Sequence, residues 1–538
     1  MTREFDYIIV GAGTAGSVLA ARLTENGRHT VLLLEAGGSD KRLWIQMPIG
    51  YGKAFYDRRV NWCYYTEPVD SLGGRRIYWP RGKVIGGSSS INAMVFVRGH
   101  PADYDDWRAA GNPGWSFDDV LPYFRRLENN AAGAGPLRGT NGPLHITDIA
   151  DAAHPICRQF IDAGVEAGLQ YNRDFNGASL DGVGHYQITT RAGLRMSTAR
   201  AWLDPARRRP NLAIETGAHA TRIRFDGRRA TGVAFRMDGS ERIASARREV
   251  IVAAGAIGSP ALLQQSGVGP RALLADLAIP VVCAREGVGA NLQDHLSQRI
   301  AFRSRVPTLN GILRPLVGKI GAGLDYVLRR RGPLSLSVNQ AGAFVRTRPG
   351  LDRPDLQIYF QPLSYTTAPP GKRPMMAPDP FPGFLMSASP CRPRSRGTLA
   401  IVSPDPTVAP CISPGYLGHA GDLDDLVGGV MFLRRLAGMP SLASVIAEEL
   451  APGPAVATPE AVADYVRHNA STVFHPCGTC RMGPDDGGSV VDARLRVHGL
   501  SGLRVADASI FPNITSGNTN APVVMVAEKA SDMILADA

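Results

Sequence analysis

The chain has 538 residues, 44% of them apolar and 20% charged, a balance that suits folded globular protein and excludes general disorder. That length exceeds what one hydrophobic core ordinarily organises, so two packed domains are expected. The formal net charge of +11 is dispersed over many arginines, with short clusters at Arg207–Arg209 and Arg329–Arg331 and no interleaved basic and aromatic pattern. This argues against a nucleic-acid partner and for a weak attraction to anionic surfaces or electron acceptors.

The chain opens with MTREFDYIIV, which runs straight into a strand at Asp6–Val10 without the features of a secretory leader, and no apolar run reaches the length of a membrane span. The expectation is a cytoplasmic protein, at most peripherally attached to a membrane. GAGTAG at Gly11–Gly16 follows, then SVLAARLTENG, whose apolar spacing and closing Gly27 suit a helix. A second strand, Thr30–Leu34, ends in Glu35, 24 positions after Gly11. This is the layout of a dinucleotide-binding unit. Gly11 permits the tight turn, Gly13 the backbone approach to pyrophosphate, Gly16 the close helix contact, and Glu35 accepts hydrogen bonds from ribose hydroxyls. The match leaves NAD and FAD undistinguished.

From Glu35 to about Pro80 the sequence lacks helical periodicity. RGKVIGGSSSINAMVFVRG (81–99) reads as a glycine- and serine-rich turn entering a helix, with free N–H groups suited to an anionic ligand. Residues 211–235 read as two strands around the hairpin signal Asp226-Gly227, and 249–254 as a strand feeding GAIGSPALLQQSGVG, a glycine turn and a short helix. Between about 300 and 465 the character changes: prolines accumulate from Pro349 to Pro414, a strand-like run occupies 356–363 and a helix roughly 422–436. In the tail, 503–508 reads as a strand and the stretch from Gly517 as a turn feeding a long helix. The expected fold is therefore α/β: a Rossmann-like domain assembled from 1–155, 211–300 and 466–538. An α+β substrate domain, an antiparallel sheet with helices, occupies 156–210 and 301–465.

STVFHPCGTCRMG (471–483) sets His475 two residues before Cys477 and five before Cys480. With His468 these could gather a metal, but a structural zinc site usually pairs two such spacings and only one CxxC exists. A redox CxxC would want a helix N-terminus in a small redox fold. A surface or core histidine is the ordinary alternative. Seven scattered cysteines (63, 157, 283, 391, 411, 477 and 480) do not make a disulfide scaffold and fit a reducing compartment.

Taken together, GAGTAG with Glu35, GKVIGGSSSIN at 82–92, GAIGSPALLQQSGVG at 255–269, and HPCGTCRMG with GLRVADASIFP and GNTNAP near the end resemble the glucose–methanol–choline oxidoreductases. The resemblance spans the whole chain and is strongest to bacterial choline-dehydrogenase-like alcohol dehydrogenases. It implies FAD, with Gly11, Gly13, Gly16 and Glu35 on its AMP half. Arg81, Gly87, Ser88 and Asn92 would lie beside flavin and pyrophosphate, the Ala220 backbone on adenine, and Asp507 and Ala508 on the strand closing over the cofactor. Asn520 would hydrogen-bond the flavin or cap the last helix; Ser89 and Ser90 suit structural roles equally well. His475 aligns with the active-site base and Asn518 with its polar partner, which leaves no metal site and makes Cys477 and Cys480 neighbours in a tight turn. The implied reaction is oxidation of a small primary alcohol to an aldehyde. The proton goes to His475, the hydride to flavin N5, and the electrons then pass to a quinone-like carrier or oxygen.

Two departures stand out. Members with covalent FAD carry histidine before the loop asparagine, where this chain has Ile91, so the cofactor should be non-covalent. Choline-type members carry a carboxylate where this chain has Gln340, which disfavours choline. The same fold also serves hydroxynitrile lyases and a fatty-acid photodecarboxylase, and a basic binding protein with a vestigial flavin is a further alternative; all of them predict no bleaching by alcohol.

Overall fold

A computed structural model describes residues 3–365 and 377–538; part of the proline-rich stretch expected at 349–414 lies outside the described residues. Two sheets organise the protein. The first has seven strands. Leu212–Thr216, Val31–Glu35, Arg3–Val10, Ser240–Val252 and Leu503–Val505 lie side by side and parallel. Arg229–Met237 and His219–Asp226 extend it as an antiparallel ribbon. Ile8, Ile9, Leu32, Leu33, Val250 and Ile251 are buried together, the continuous apolar runs of strands covered on both faces. The crossover helix Thr14–Leu23 packs against the last helix, Asn520–Ala536, so the two ends of the chain close one core.

The second sheet runs Ile446–Ala451, Leu296–Ser304, Gly383–Pro390, Leu356–Gln361, Ala341–Val345 and Gly182–His185, all antiparallel, with Ser471–Thr472 pairing onto Leu296–Ser297. Its strands alternate with period two. Ile300, Phe302, Ile358, Phe360, Phe384 and Met386 face a core that includes the helices Ile156–Glu166 and Ala420–Ala437. Ser297, Arg299, Tyr359, Gln361, Leu385 and Ser387 face the other way, into a cavity between the sheets.

Several sequence expectations need correction. The segment after Glu35 holds two short helices, Leu43–Gln46 and Tyr51–Ala54. The serine turn is a single tight turn, Gly87–Ser90, that enters no helix; Gly86 and Gly87 have φ of 84° and 53°, and Met94 at φ 64° carries the chain onward. Leu212–Thr216 is a strand separate from the hairpin. The boundary drawn at 300 cuts through Leu296–Ser304, which belongs to the second sheet. Within 156–210, Ala199, Trp202 and Leu203 pack into the first sheet's core.

Gly16 makes the first crossover possible: a Cβ there would lie 1.8 Å from the Gly11 carbonyl oxygen and 3.3 Å from Ile9 Cγ2. Gly16→Ala is expected to destabilise the protein by about 1–3 kcal/mol through overpacking. Gly428→Ala, where a Cβ meets nothing within 4 Å on the exposed side of its helix, should stabilise it by about 0.4–1 kcal/mol. Thermal denaturation of both variants measures this; equal midpoints would contradict the packing account.

Candidate active site

The cavity between the sheets has a volume of about 1440 Å³, larger than the roughly 300–1,000 Å³ of ordinary ligand pockets and roomy enough for a dinucleotide with a second small molecule. Gly11, Gly13, Glu35, Arg81, Gly87, Ser88, Asn92, Ala220, Asp507, Ala508, Asn518, Asn520 and His475 all line it. Gly16 alone of the expected residues does not, because it is spent on helix packing.

At the first sheet's end the residues fit a dinucleotide. Gly13, Thr14 and Ala15 open the crossover helix into the cavity, where first-turn N–H groups lack intrahelical acceptors and favour an anion. A Cβ on Gly87 would come within 2.6 Å of Gly13 Cα, so the two glycine turns touch and form one cradle. The Glu35 carboxylate accepts from Ala12 N at 3.0 Å and Gly37 N at 2.7 Å. Those bonds use two of its roughly four lone-pair sites and leave the others for hydroxyl donors. Burial pushes its pKa up to about 7. Ala220 sits beside a bulge in its strand. Asn520 is the first residue of the last helix and not its cap; its Oδ1 accepts from Thr14 Oγ1 at 3.2 Å and joins the two helix starts. Ser88 Oγ accepts from Gly82 N at 3.2 Å. Asp507 is occupied by Gly255 N, Ser259 Oγ and Ser509 N, so it holds the cradle's frame. Ser89 and Ser90 bond the carbonyls of Gly86 and Ile85 away from the cavity.

At the other end His475 meets Asn518, with Nε2 3.1 Å from the amide Nδ2. Proton positions follow from two main-chain carbonyls, which can only accept. His295 Nε2 lies 3.0 Å from the Cys391 carbonyl and therefore carries hydrogen; burial holds its pKa down at about 4, so the ring is neutral and its Nδ1 accepts. That Nδ1 is 2.9 Å from His475 Nδ1, which must donate. His475 Nε2 is left as an acceptor. From the other side, the Tyr186 hydroxyl donates to the Ile358 carbonyl at 2.7 Å and accepts from Gln357 Nε2 at 3.2 Å. Gln357 Nε2 also reaches Asn518 Oδ1 at 3.3 Å, which turns the Asn518 N–H groups toward His475. Burial first, then His295 and the Arg81 guanidinium, hold the His475 pKa well below 6.5, so it is neutral at pH 7.

Asp294 fixes the loop that presents His475. It accepts from His475 N at 2.7 Å and Thr472 Oγ1 at 2.5 Å, and from the Tyr416 hydroxyl. Phe474, immediately before the histidine, is held at φ 71°. Arg81, expected beside flavin and pyrophosphate, donates to the carbonyls of Pro80 at 2.6 Å and Phe474 at 2.5 Å, so it also braces this loop. Cys477 exchanges backbone hydrogen bonds with Gln293 at 2.9 and 3.0 Å. Cys477 and Cys480 are unpaired and wholly buried, and burial raises both thiols well above their ordinary pKa. They pack the tight turn.

Gln340 requires a correction. It is 1% exposed and outside the cavity lining, with Oε1 accepting from His154 N at 2.7 Å and Nε2 reaching the Ser337 carbonyl. A carboxylate there would not face a substrate. Sequence reasoning also missed Asp294, His295, Gln357, Tyr359 and Arg195. Arg195 lies buried and donates to the carbonyls of Ile45, Ser89 and Asn92 and to Asn92 Oδ1, which pins the serine turn and Asn92.

Family models described as GMC oxidoreductase match residues 5–297 and 393–527. The chain is 41% identical to an oxygen-dependent choline dehydrogenase of Vibrio vulnificus, covering 99% of this chain and 95% of that protein, and 42% identical to one of Brucella anthropi over 99% and 96%. Among solved structures it is similar to pyridoxine 4-oxidase from Mesorbium loti, with a TM-score of 0.88, 32% identity and 98% of each chain covered. Formate oxidase of Aspergillus oryzae, in a variant form, superposes with a TM-score of 0.91 at 26% identity over 99% and 98%. The paired sheets, the glycine cradle and the histidine–asparagine pair thus stand in a chain that belongs to the GMC oxidoreductase family.

Proposed function

We propose that the protein oxidises a neutral primary alcohol to the aldehyde, with His475 Nε2 as the proton acceptor and Asn518 Nδ2 as the group that holds the alcohol oxygen. One observation carries this reading: an imidazole nitrogen fixed as an acceptor lies 3.1 Å from an amide donor, in the wall of the cavity that the dinucleotide cradle also lines. FAD is the cofactor, and when bound its isoalloxazine ring accepts the hydride. The rest falls to the chain. A hydroxyl entering between the two side chains donates to Nε2 and accepts from Nδ2, and both partners are already turned for that exchange. Nothing in the site favours a lyase or a photodecarboxylase.

The wall also bears on substrate. Its carboxylates are Glu35 and Asp507 on the first sheet's side and Glu67, which pairs with Arg76 at 3.4 Å. Around the second sheet the lining side chains are Ser297, Arg299, Asn339, Tyr359, Gln361, Tyr365, Leu385 and Ser387. A quaternary ammonium would meet the Arg299 cation there and, among the described residues, no carboxylate, whereas an aromatic or aliphatic body suits Tyr365, Leu385 and Phe474. In kcat/KM, benzyl-type and medium-chain primary alcohols are expected to exceed choline; choline as the best substrate would overturn this.

His475→Ala should retain FAD while flavin reduction by alcohol, followed without oxygen, slows by about 10²–10⁴. The Cys477→Ser, Cys480→Ser double variant should stay within about tenfold of the parent, since each substitution costs on the order of 1 kcal/mol in packing. Comparable loss in both would place the chemistry on the cysteines. Because the folded His475 pKa lies well below 6.5, the base is already unprotonated at pH 6.5, and the reduction rate should be flat from there upward. A fall in rate centred above pH 6.5 would contradict it.

Ile91 is an alkyl side chain that is 2% exposed at the cavity wall and cannot form a bond to the flavin. Acid or heat denaturation should release FAD to the supernatant, and Glu35→Ala should weaken its retention by roughly 1.5–3 kcal/mol, the worth of a charge-assisted hydrogen bond. Flavin precipitating with the chain, or unchanged affinity in Glu35→Ala, would contradict these assignments.

A further inference from the structure

The helix Leu316–Arg329 packs on the protein by one side only: Ala322 and Tyr326 are its buried residues, and the Tyr326 hydroxyl donates to the Gly193 carbonyl at 3.1 Å. Its other side holds six large apolar side chains in solvent: Leu316 at 71% exposure, Val317 at 82%, Ile320 at 53%, Leu324 at 57%, Val327 at 66% and Leu328 at 78%. At about 100° per residue they fill an arc of roughly 120° that points away from the buried pair. Single exposed apolar residues are ordinary; six on one helix face mark an interaction surface.

Charge identifies the occupant. The segment from 310 to 331 carries Arg314, Lys319, Arg329, Arg330 and Arg331, all exposed, against a single acid, Asp325, which pairs with Arg329 at 3.4 Å. A second copy of this chain docked face to face would bring those cations together. An anionic bilayer takes both features, with apolar side chains at the acyl boundary and cations at the phosphates. Among the described residues no helix is long and apolar enough to cross a membrane. We propose that Leu316–Arg329 is a membrane-docking helix that lies in the interface of an anionic phospholipid bilayer. Just behind it, Ile312 and Leu313 pack in one cluster with Tyr51, Met94, Tyr365 and Leu385, and these four line the cavity. Docking therefore sets the substrate-side wall next to the lipid.

The test is co-sedimentation of the full FAD-loaded chain with phosphatidylcholine vesicles, with and without phosphatidylglycerol. The parent should bind the phosphatidylglycerol vesicles at least about tenfold more tightly than the neutral ones, and less tightly as salt is raised. The Leu324→Glu, Val327→Glu double variant and, independently, the Lys319→Glu, Arg331→Glu double variant should each lose about tenfold or more. Val281→Glu, an apolar position 39% exposed outside this helix, should bind like the parent. A flavin spectrum matching the parent's certifies each variant as folded, and the two double variants serve as separate arms. The proposal is overturned if the parent ignores phosphatidylglycerol vesicles, if both double variants bind as the parent does, or if the parent binds no vesicles and instead forms a dimer that Leu324→Glu, Val327→Glu dissociates.

Discussion

The polarity of the site is set by two main-chain carbonyls, those of Cys391 and Ile358. A carbonyl has no proton to give, so each fixes the direction of every hydrogen bond that follows from it. One chain runs from Cys391 through His295 to His475, the other from Ile358 through Tyr186 and Gln357 to Asn518. Ile358 lies in the strand Leu356–Gln361 and Cys391 one residue past the end of the neighbouring strand Gly383–Pro390, where Leu356 pairs with Pro390. They meet where an acceptor nitrogen faces an amide donor, which is the arrangement that proton removal from an alcohol asks for.

Burial makes that arrangement firm. His295 is 1% and His475 8% exposed, and desolvation keeps both rings neutral, so neither hydrogen-bond chain reverses at ordinary pH. Arg81 adds to this: its charge lies close enough to oppose protonation of His475 while its guanidinium braces the Phe474 carbonyl. Asp294 holds the loop from beneath. The second sheet thus supplies a rigid, polarised wall, and the first sheet supplies the cradle it faces.

How much of this was readable in the sequence follows from how local each signal is. The first crossover was legible because glycine spacing, apolar runs and the terminal carboxylate all lie within 35 residues, and the helix near 422–436 because its period is 3.6. His475 and Asn518 were legible by resemblance, and the structure brings them together across 43 residues. The sequence of the serine turn reads as a helix start, whereas its geometry depends on positive φ at Gly86, Gly87 and Met94 and on Arg195, more than a hundred residues away. His295 and Asp294 carry no local signal at all; their partners lie about 180 residues along the chain. The family position of Gln340 points to substrate recognition, whereas its side chain turns inward and accepts from the His154 backbone.

The most direct test of the account is the effect of His295 on flavin reduction. His295→Leu removes the acceptor for His475 Nδ1 and frees the ring to place its proton on Nε2; His295→Asn restores a carbonyl oxygen that accepts and an amide that donates. With FAD retention equal in both and oxygen excluded, His295→Leu is expected to reduce its flavin about 10–100-fold more slowly, the cost of leaving one buried donor unsatisfied, and His295→Asn to recover most of the loss. A His295→Leu enzyme that reduces its flavin as fast as the parent, with the same pH profile, would contradict the claim that the Cys391 carbonyl sets the proton on His475.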